Sequence, residues 1–328
     1  MFVCGVRALV FVAHGAGEHC SMYADVAHTL TQQSLFVFAH DHVGHGQSEG
    51  ERMNIKNFQI YIRDCLQHID LIRARFPSLP IFILGHSMKE LTLETPSMNY
   101  GGAISILTVC ERPQDFAGVV LVAPMIQMNP ESATPFKVFV AKVLNHMAPS
   151  LCIGSIDPKL VSRDPKQVVQ AYESDELVYH GGLRVSFGMQ LMAASSRIET
   201  ELPNISWPFL LLHGTDDKLC DIRGSNLMYN QAKSTDKKIK PLDAVPVPSP
   251  EKWEGCVRKG IRRKTFAKLL CGPVVVVDFR KSRTPVSPLS VHGKKVEIVE
   301  DYKYLGVHTD NKLYWTLNST ALYKKGQS

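Results

Sequence analysis

The chain has 328 residues, of which 45% are hydrophobic and 21% charged, a globular composition that excludes wholesale disorder. No apolar run reaches the roughly 20 residues that a bilayer-spanning helix requires, and the eight Cys form no C-x-x-C pair, which points to free thiols in a reducing compartment rather than a disulfide scaffold. The net charge of +6 is held unevenly, with 17 Lys and Arg against 22 Asp and Glu in residues 1–232 and 20 against 9 in residues 233–328, so the chain reads as two segments of different character.

The apolar stretch Met1–Val12 contains Arg7 and is followed by no small-residue cleavage site, so it reads as a buried strand and not as a signal peptide. Within it, Ala8–Ala13 is rich in the β-branched and aromatic residues that favour strands. Met22–Gln33 has helical spacing, Leu35–Ala39 is a second strand, and 41–50 is rich in turn residues. Phe58–Phe76 predicts a long amphipathic helix stopped by Pro77. Ile81–Leu84, Gly118–Val122 and Phe209–Leu212 are further apolar runs. Continuous apolar strands separated by helices predict a mainly parallel α/β sheet covered on both faces. Residues 126–200 break that rhythm with mostly helical sequence, as expected of a cap over the strand ends.

The third of these strands runs directly into Gly85-His86-Ser87-Met88. A serine on a tight strand-to-helix turn has the character of a nucleophile elbow, which exposes Oγ at the carboxyl edge of a sheet. The backbone N–H that follows such a serine is placed to stabilise a developing oxyanion.

Several motifs together resemble the monoglyceride lipase family of α/β-hydrolases. They are Gly85–Met88, His14-Gly15-Ala16-Gly17-Glu18-His19, the stretch from Phe38 to Gly50, Pro130–Thr134 and Leu219-Cys220-Asp221, and the resemblance covers about residues 8–233. It implies an α/β-hydrolase fold with a helical cap, truncated at both ends in this chain. It also implies a serine esterase that needs no cofactor, cleaves monoacylglycerol to fatty acid and glycerol, and works in the cytoplasm with peripheral membrane contact through the cap. Carried over, Ser87 is the nucleophile, Asp217 the acid of the triad, and Ala16 and Met88 the donors of the oxyanion hole. Cys220 would lie near the acyl site, either as a reactive thiol or as a buried apolar one.

Two features depart from that pattern. Between Met88 and the pair Gly101-Gly102 stand residues Lys89–Tyr100, and deleting them restores an uninterrupted elbow. The sequence therefore predicts an insert that moves the following helix N-terminus away from Ser87 and weakens its field at the oxyanion. In addition, the stretch where the family's catalytic histidine would fall, 240–250, contains none, and the only histidines after Asp217 are His292 and His308. Each of these reads better as a loop or sheet-edge residue. A serine without a base stays a neutral alcohol at pH 7, so the alternative reading is a catalytically inactive, lipid-binding remnant.

The boundary is expected at 240, with residues 1–240 forming the hydrolase domain. Pro241–Pro250 carries four prolines and reads as a linker. Beyond it, Val274–Phe279 and Val296–Val299 are strand-like. Val277–Arg283, Asp301–Trp315 and Ala321–Ser328 resemble part of a non-LTR retrotransposon reverse transcriptase, without that enzyme's paired aspartates. The basic tail belongs to no recognised nucleic-acid module, so nucleic-acid binding is not expected. His40, His42 and His45 are read as shaping the rim of the site, with no metal expected. In the cap, Phe136, Val138, Phe139, Val143 and Leu144 alternate with Lys137 and Lys142, a pattern suited to resting on a membrane surface.

Overall fold

The computed structural model describes residues 5–86, 100–127, 135–153, 174–214, 222–242, 290–291, 294–295, 301–304 and 307–310. The chain divides into two compact units, one within residues 4–276 and one within 277–328.

The larger unit is built on a sheet of β1 (Ala8–Ala13), β2 (Leu35–Ala39), β3 (Ile81–His86), β4 (Gly118–Val122), β7 (Phe209–Gly214) and β8 (Lys237–Leu242). Their order is β2-β1-β3-β4-β7-β8, and every pairing is parallel. The first five are buried along almost their whole length, which is why they read as unbroken apolar runs rather than as alternating ones. On one face Val10, Val12, Val37, Phe82, Leu84, Val120 and Leu212 join Tyr23 and Leu30 in a single core, Leu30 coming from α1 (Ala24–Thr31). On the other face Phe11 meets the ring of His68, which is carried by α2 (Gln59–Arg75).

Helix α2 buries Tyr61, Ile62, Cys65, Leu66, Ile69 and Ile72, a stripe at three- and four-residue spacing. Helix α3 (Tyr100–Glu111) is buried from Tyr100 through Val109 because it lies between the sheet and its neighbouring helices. Two glycines make that docking possible. A Cβ on Gly101 would stand 2.4 Å from the His86 carbonyl oxygen and 2.5 Å from those of Ala13 and His14, and a Cβ on Gly85 would stand within 2.8 Å of Ser105 and the Gly101 carbonyl. Residues 87–99, which hold Ser87 and all of the expected insert but Tyr100, lie outside the described residues; strand β3 ends at His86 and α3 starts at Tyr100, with Gly101 packed against the His86 carbonyl.

The sequence reading also began the linker at Pro241, whereas β8 continues to Leu242 as the edge partner of β7. A Lys-rich strand with a proline shows no apolar run, yet it suits a sheet edge.

Between β4 and β7 lie α4 (Pro135–Met147), the two-residue strands β5 (Cys152–Ile153) and β6 (Leu183–Arg184), and α5 (Val185–Glu201). Strands β5 and β6 pair antiparallel. Helix α6 (Ile222–Gln231) links β7 to β8. The smaller unit contains, among the described residues, β9 (Ser290–Val291) paired with β10 (Lys294–Lys295) and β11 (Asp301–Tyr304) paired with β12 (Val307–Asp310), both antiparallel. The expected strands at 274–279 and 296–299 lie outside the described residues.

Candidate active site

All six strands of the sheet point the same way, so the residues after β1, β3 and β7 emerge on one edge. Strand β1 pairs with β2 on one side and β3 on the other, so the chain reverses its direction of winding at β1. Open parallel sheets bind ligands at such a point, outside the carboxyl ends of the strands. Ala16 follows β1 by three residues and is buried. Ser87 directly follows β3 and Asp217 follows β7 by three residues. Ser87, Met88, Asp217 and Cys220 themselves lie outside the described residues.

The loop that carries Ala16 is braced by a buried carboxylate. Glu18 Oε2 accepts the Gly15 N–H at 2.8 Å and the Tyr23 hydroxyl at 2.5 Å. Tyr23 has spent its only proton on Glu18, so its oxygen accepts from Nδ1 of His86 at 2.6 Å. Burial pushes the Glu18 carboxyl up, but the His86 imidazole 3.8 Å away, with the bonds from Tyr23 and Gly15, outweighs it and holds the group down at about 2. One ionised carboxylate therefore links the loop after β1 to the residue immediately before Ser87. Glu18 stands within the motif His14–His19, but nothing in the sequence distinguishes it from a solvated loop acid.

The cap segment leans on the same loops. Tyr179 donates its N–H to the Gly17 carbonyl at 2.8 Å, and His19 Nε2 lies 2.8 Å from the Asp175 carboxylate. Arg184 bonds Glu51, and Ser186 donates to Asn54. In the loop after β2, Asp41 accepts the N–H groups of Cys20 and Gln47 at 2.7 and 2.8 Å. These bonds lower its pKa against the upward push of burial.

Of the three loop histidines, His42 and His45 are buried and His40 is half-buried. The His42 N–H donates to Nε2 of His14 at 3.0 Å, and His45 stacks on Tyr100 at 5.1 Å between centroids. His40 Nδ1 faces Nδ1 of His68 at 3.0 Å. Burial is the leading cause that lowers the pKa of each ring, to about 3 for His40 and His45 and about 4 for His68, and also below the usual value for His14 and His42. Cys65 of α2 joins His40 and His42, with one potential ligand atom from each within 4.8 Å of the others.

The comparisons agree with this architecture. The sequence family described as serine aminopeptidase, S33, matches residues 5–245. Human monoglyceride lipase is 52% identical over 234 residues, covering 71% of this chain and 73% of that protein. The crystal structure of the Paleococcus ferrophilus monoacylglycerol lipase superposes with a TM-score of 0.64 at 28% identity, covering 78% of this chain and 95% of that one. A soluble variant of the Saccharomyces cerevisiae monoglyceride lipase, in complex with a substrate analog, superposes with a TM-score of 0.63 at 19% identity over 79% and 88% of the two chains, a likeness of fold.

Proposed function

The chain belongs to the serine hydrolase family described as serine aminopeptidase, S33, and within it to the monoglyceride lipases, and from that premise we propose that it cleaves monoacylglycerols to free fatty acid and glycerol. In this reading the chemistry belongs to residues 1–240 and none of it to the basic tail 241–328. Ser87 attacks the ester carbonyl, the N–H groups of Ala16 and Met88 hold the oxyanion, and Asp217 orients the base. The observation that carries the reading is the Glu18 brace. It fixes the backbone of the Ala16 loop beside the end of β3, where pre-set donors act on the charge that develops in the transition state.

No histidine stands in 240–250, so the expected reaction is slow. Loss of a triad histidine costs about 10⁶-fold in a serine protease. The assay is fatty-acid release from a monoacylglycerol by the purified chain beside Ser87→Ala. The expected result is release well below that of a complete triad and abolished by the substitution, with a histidine from outside 240–250 standing in as the base, since a serine with no base at all adds nothing measurable. Equal release from both chains, with wild type shown to be folded, would replace this reading with a lipid-binding remnant.

We also propose that the chain is cytoplasmic and meets membranes peripherally through α4. No described helix is long and apolar enough to cross a membrane. Phe139, Val143 and Met147 are exposed at 63%, 42% and 76% and stand at four-residue spacing on one side of the helix, with Leu151 exposed just beyond it. Phe139→Glu is expected to cut co-sedimentation with phospholipid vesicles at least about tenfold, since it exchanges a buriable ring for a charge. The melting temperature should not change, because the side chain is exposed in the free protein. Undiminished co-sedimentation would remove the cap from the contact.

A further inference from the structure

We infer that His40, His42 and Cys65 form a binding site for a late first-row transition ion, Zn²⁺ foremost. The inference does not rest on the proposed serine chemistry. One ligand atom from each residue lies within 4.8 Å of the other two. A tetrahedral Zn²⁺ holds nitrogen at ~2.0 Å and sulfur at ~2.3 Å, and so spaces its ligands roughly 3.3–3.7 Å apart. Side-chain shifts of about 1 Å close the set.

The free valences already point to a ligand. His42 is 1% exposed, and neither of its ring nitrogens has a hydrogen-bond partner. His40 Nε2 is likewise buried without a partner, while its Nδ1 is held by His68. That division of labour is the one seen in metal-bound histidines, where one nitrogen binds the ion and the other is oriented by a neighbour. His40 and His42 are two apart in the chain just past the end of β2, and Cys65 is a fully buried position of α2. An ion held by the three would clamp the loop after β2 to that helix.

The donor set selects the metal. Two imidazoles and a thiol, with no carboxylate among them, suit Zn²⁺, Co²⁺ or Cu²⁺ and not Mg²⁺ or Ca²⁺. As the Zn–S bond forms, the Cys65 thiol proton passes to solvent, and water can complete the fourth position. His14 and His45 are not ligands in this arrangement. His14 Nε2 already accepts the His42 N–H, and His45 is stacked on Tyr100.

The test adds Co²⁺ or Zn²⁺ alone to the purified full chain. One equivalent of Co²⁺ is expected to give a thiolate-to-cobalt charge-transfer band that Zn²⁺ abolishes. Zn²⁺ at roughly 100-fold above its Kd is expected to raise the melting temperature by about 5–10 °C. Both responses should vanish in Cys65→Val and persist in Cys20→Ser and Cys152→Ser. An unchanged band in Cys65→Val overturns the proposal, as does its loss in Cys20→Ser or Cys152→Ser alone. Should Cys65→Val fail to fold, X-ray absorption of the Zn²⁺-loaded wild type decides. One sulfur at ~2.3 Å with nitrogen at ~2.0 Å supports the site, and a shell without sulfur overturns it.

Discussion

Gly101 carries more of the architecture than its size suggests. The three atoms that a Cβ would strike, at 2.4–2.5 Å, are backbone carbonyl oxygens of β1, of the loop after it and of β3, and none of them can rotate away. Gly101→Ala must therefore lift α3 from the sheet or displace the braced loop that holds Ala16. Overpacking in cores costs about 1–3 kcal/mol, occasionally more, and the rigidity of these neighbours puts this substitution at the upper end. The melting temperature should fall by roughly 6–12 °C. Gly102→Ala is the control: its nearest atoms, at 2.9 Å, belong to Pro124, a single residue at one side, and the loss should be clearly smaller. Equal stability of wild type and Gly101→Ala in urea denaturation would show that residues 87–99 do not return the chain to this point.

At the scale of the element, what the sequence reveals depends on how each segment is buried. The first five strands in the order β2-β1-β3-β4-β7-β8, the edge strand β2 included, are buried along almost their whole length, so their apolar runs mark them within a residue or two. Strand β8 lies at the edge, takes its stability from its pairing with β7 and keeps its lysines, so composition hides it. Helix α3 is harder to read, because its paired glycines Gly101 and Gly102 stand apart from Gly85–Met88, separated by residues 89–100. Cys65 shows the opposite limit. It occupies one position of the α2 stripe, where a thiol packs as a small hydrophobe, and periodicity assigns it to the core. Only the approach of His40 and His42 from another element gives it a further meaning, and sequence spacing carries no record of that approach. Ala16 is legible in the same motif as Glu18, yet the brace itself depends on Tyr23 and His86 arriving from an adjoining helix and from β3.

The molecule as a whole carries its histidines in an unusual way, and this sets its response to acid. His14, His40, His42, His45 and His68 all titrate below the ordinary histidine value in the folded chain, with burial the largest cause in each. In the unfolded chain each takes up a proton near pH 6.5. Between that value and the folded one, about 3 for His40 and His45 and about 4 for His68, the unfolded state binds more protons, so stability rises with pH across the window and is lost as pH falls. Glu18 acts in the same direction at lower pH. Its folded value of about 2 lies below the unfolded one, so its contribution is full above pH ~4.5 and disappears below. Each buried histidine contributes a slope of about 1.4 kcal/mol per pH unit, and three of them about 4. A domain with a total stability of roughly 5–15 kcal/mol then unfolds between about pH 5 and 4. Urea denaturation at pH 7.5, 6 and 5, with a chelator present to keep the histidines free of metal, should show stability level above pH 7 and falling steeply below 6. His45→Gln should reduce the slope by about one proton, since His45 neither donates to His14 nor pairs with His68. Stability independent of pH from 7.5 to 5 would mean that these rings reach water in solution, and that the apolar packing drawn around them is looser than their burial indicates.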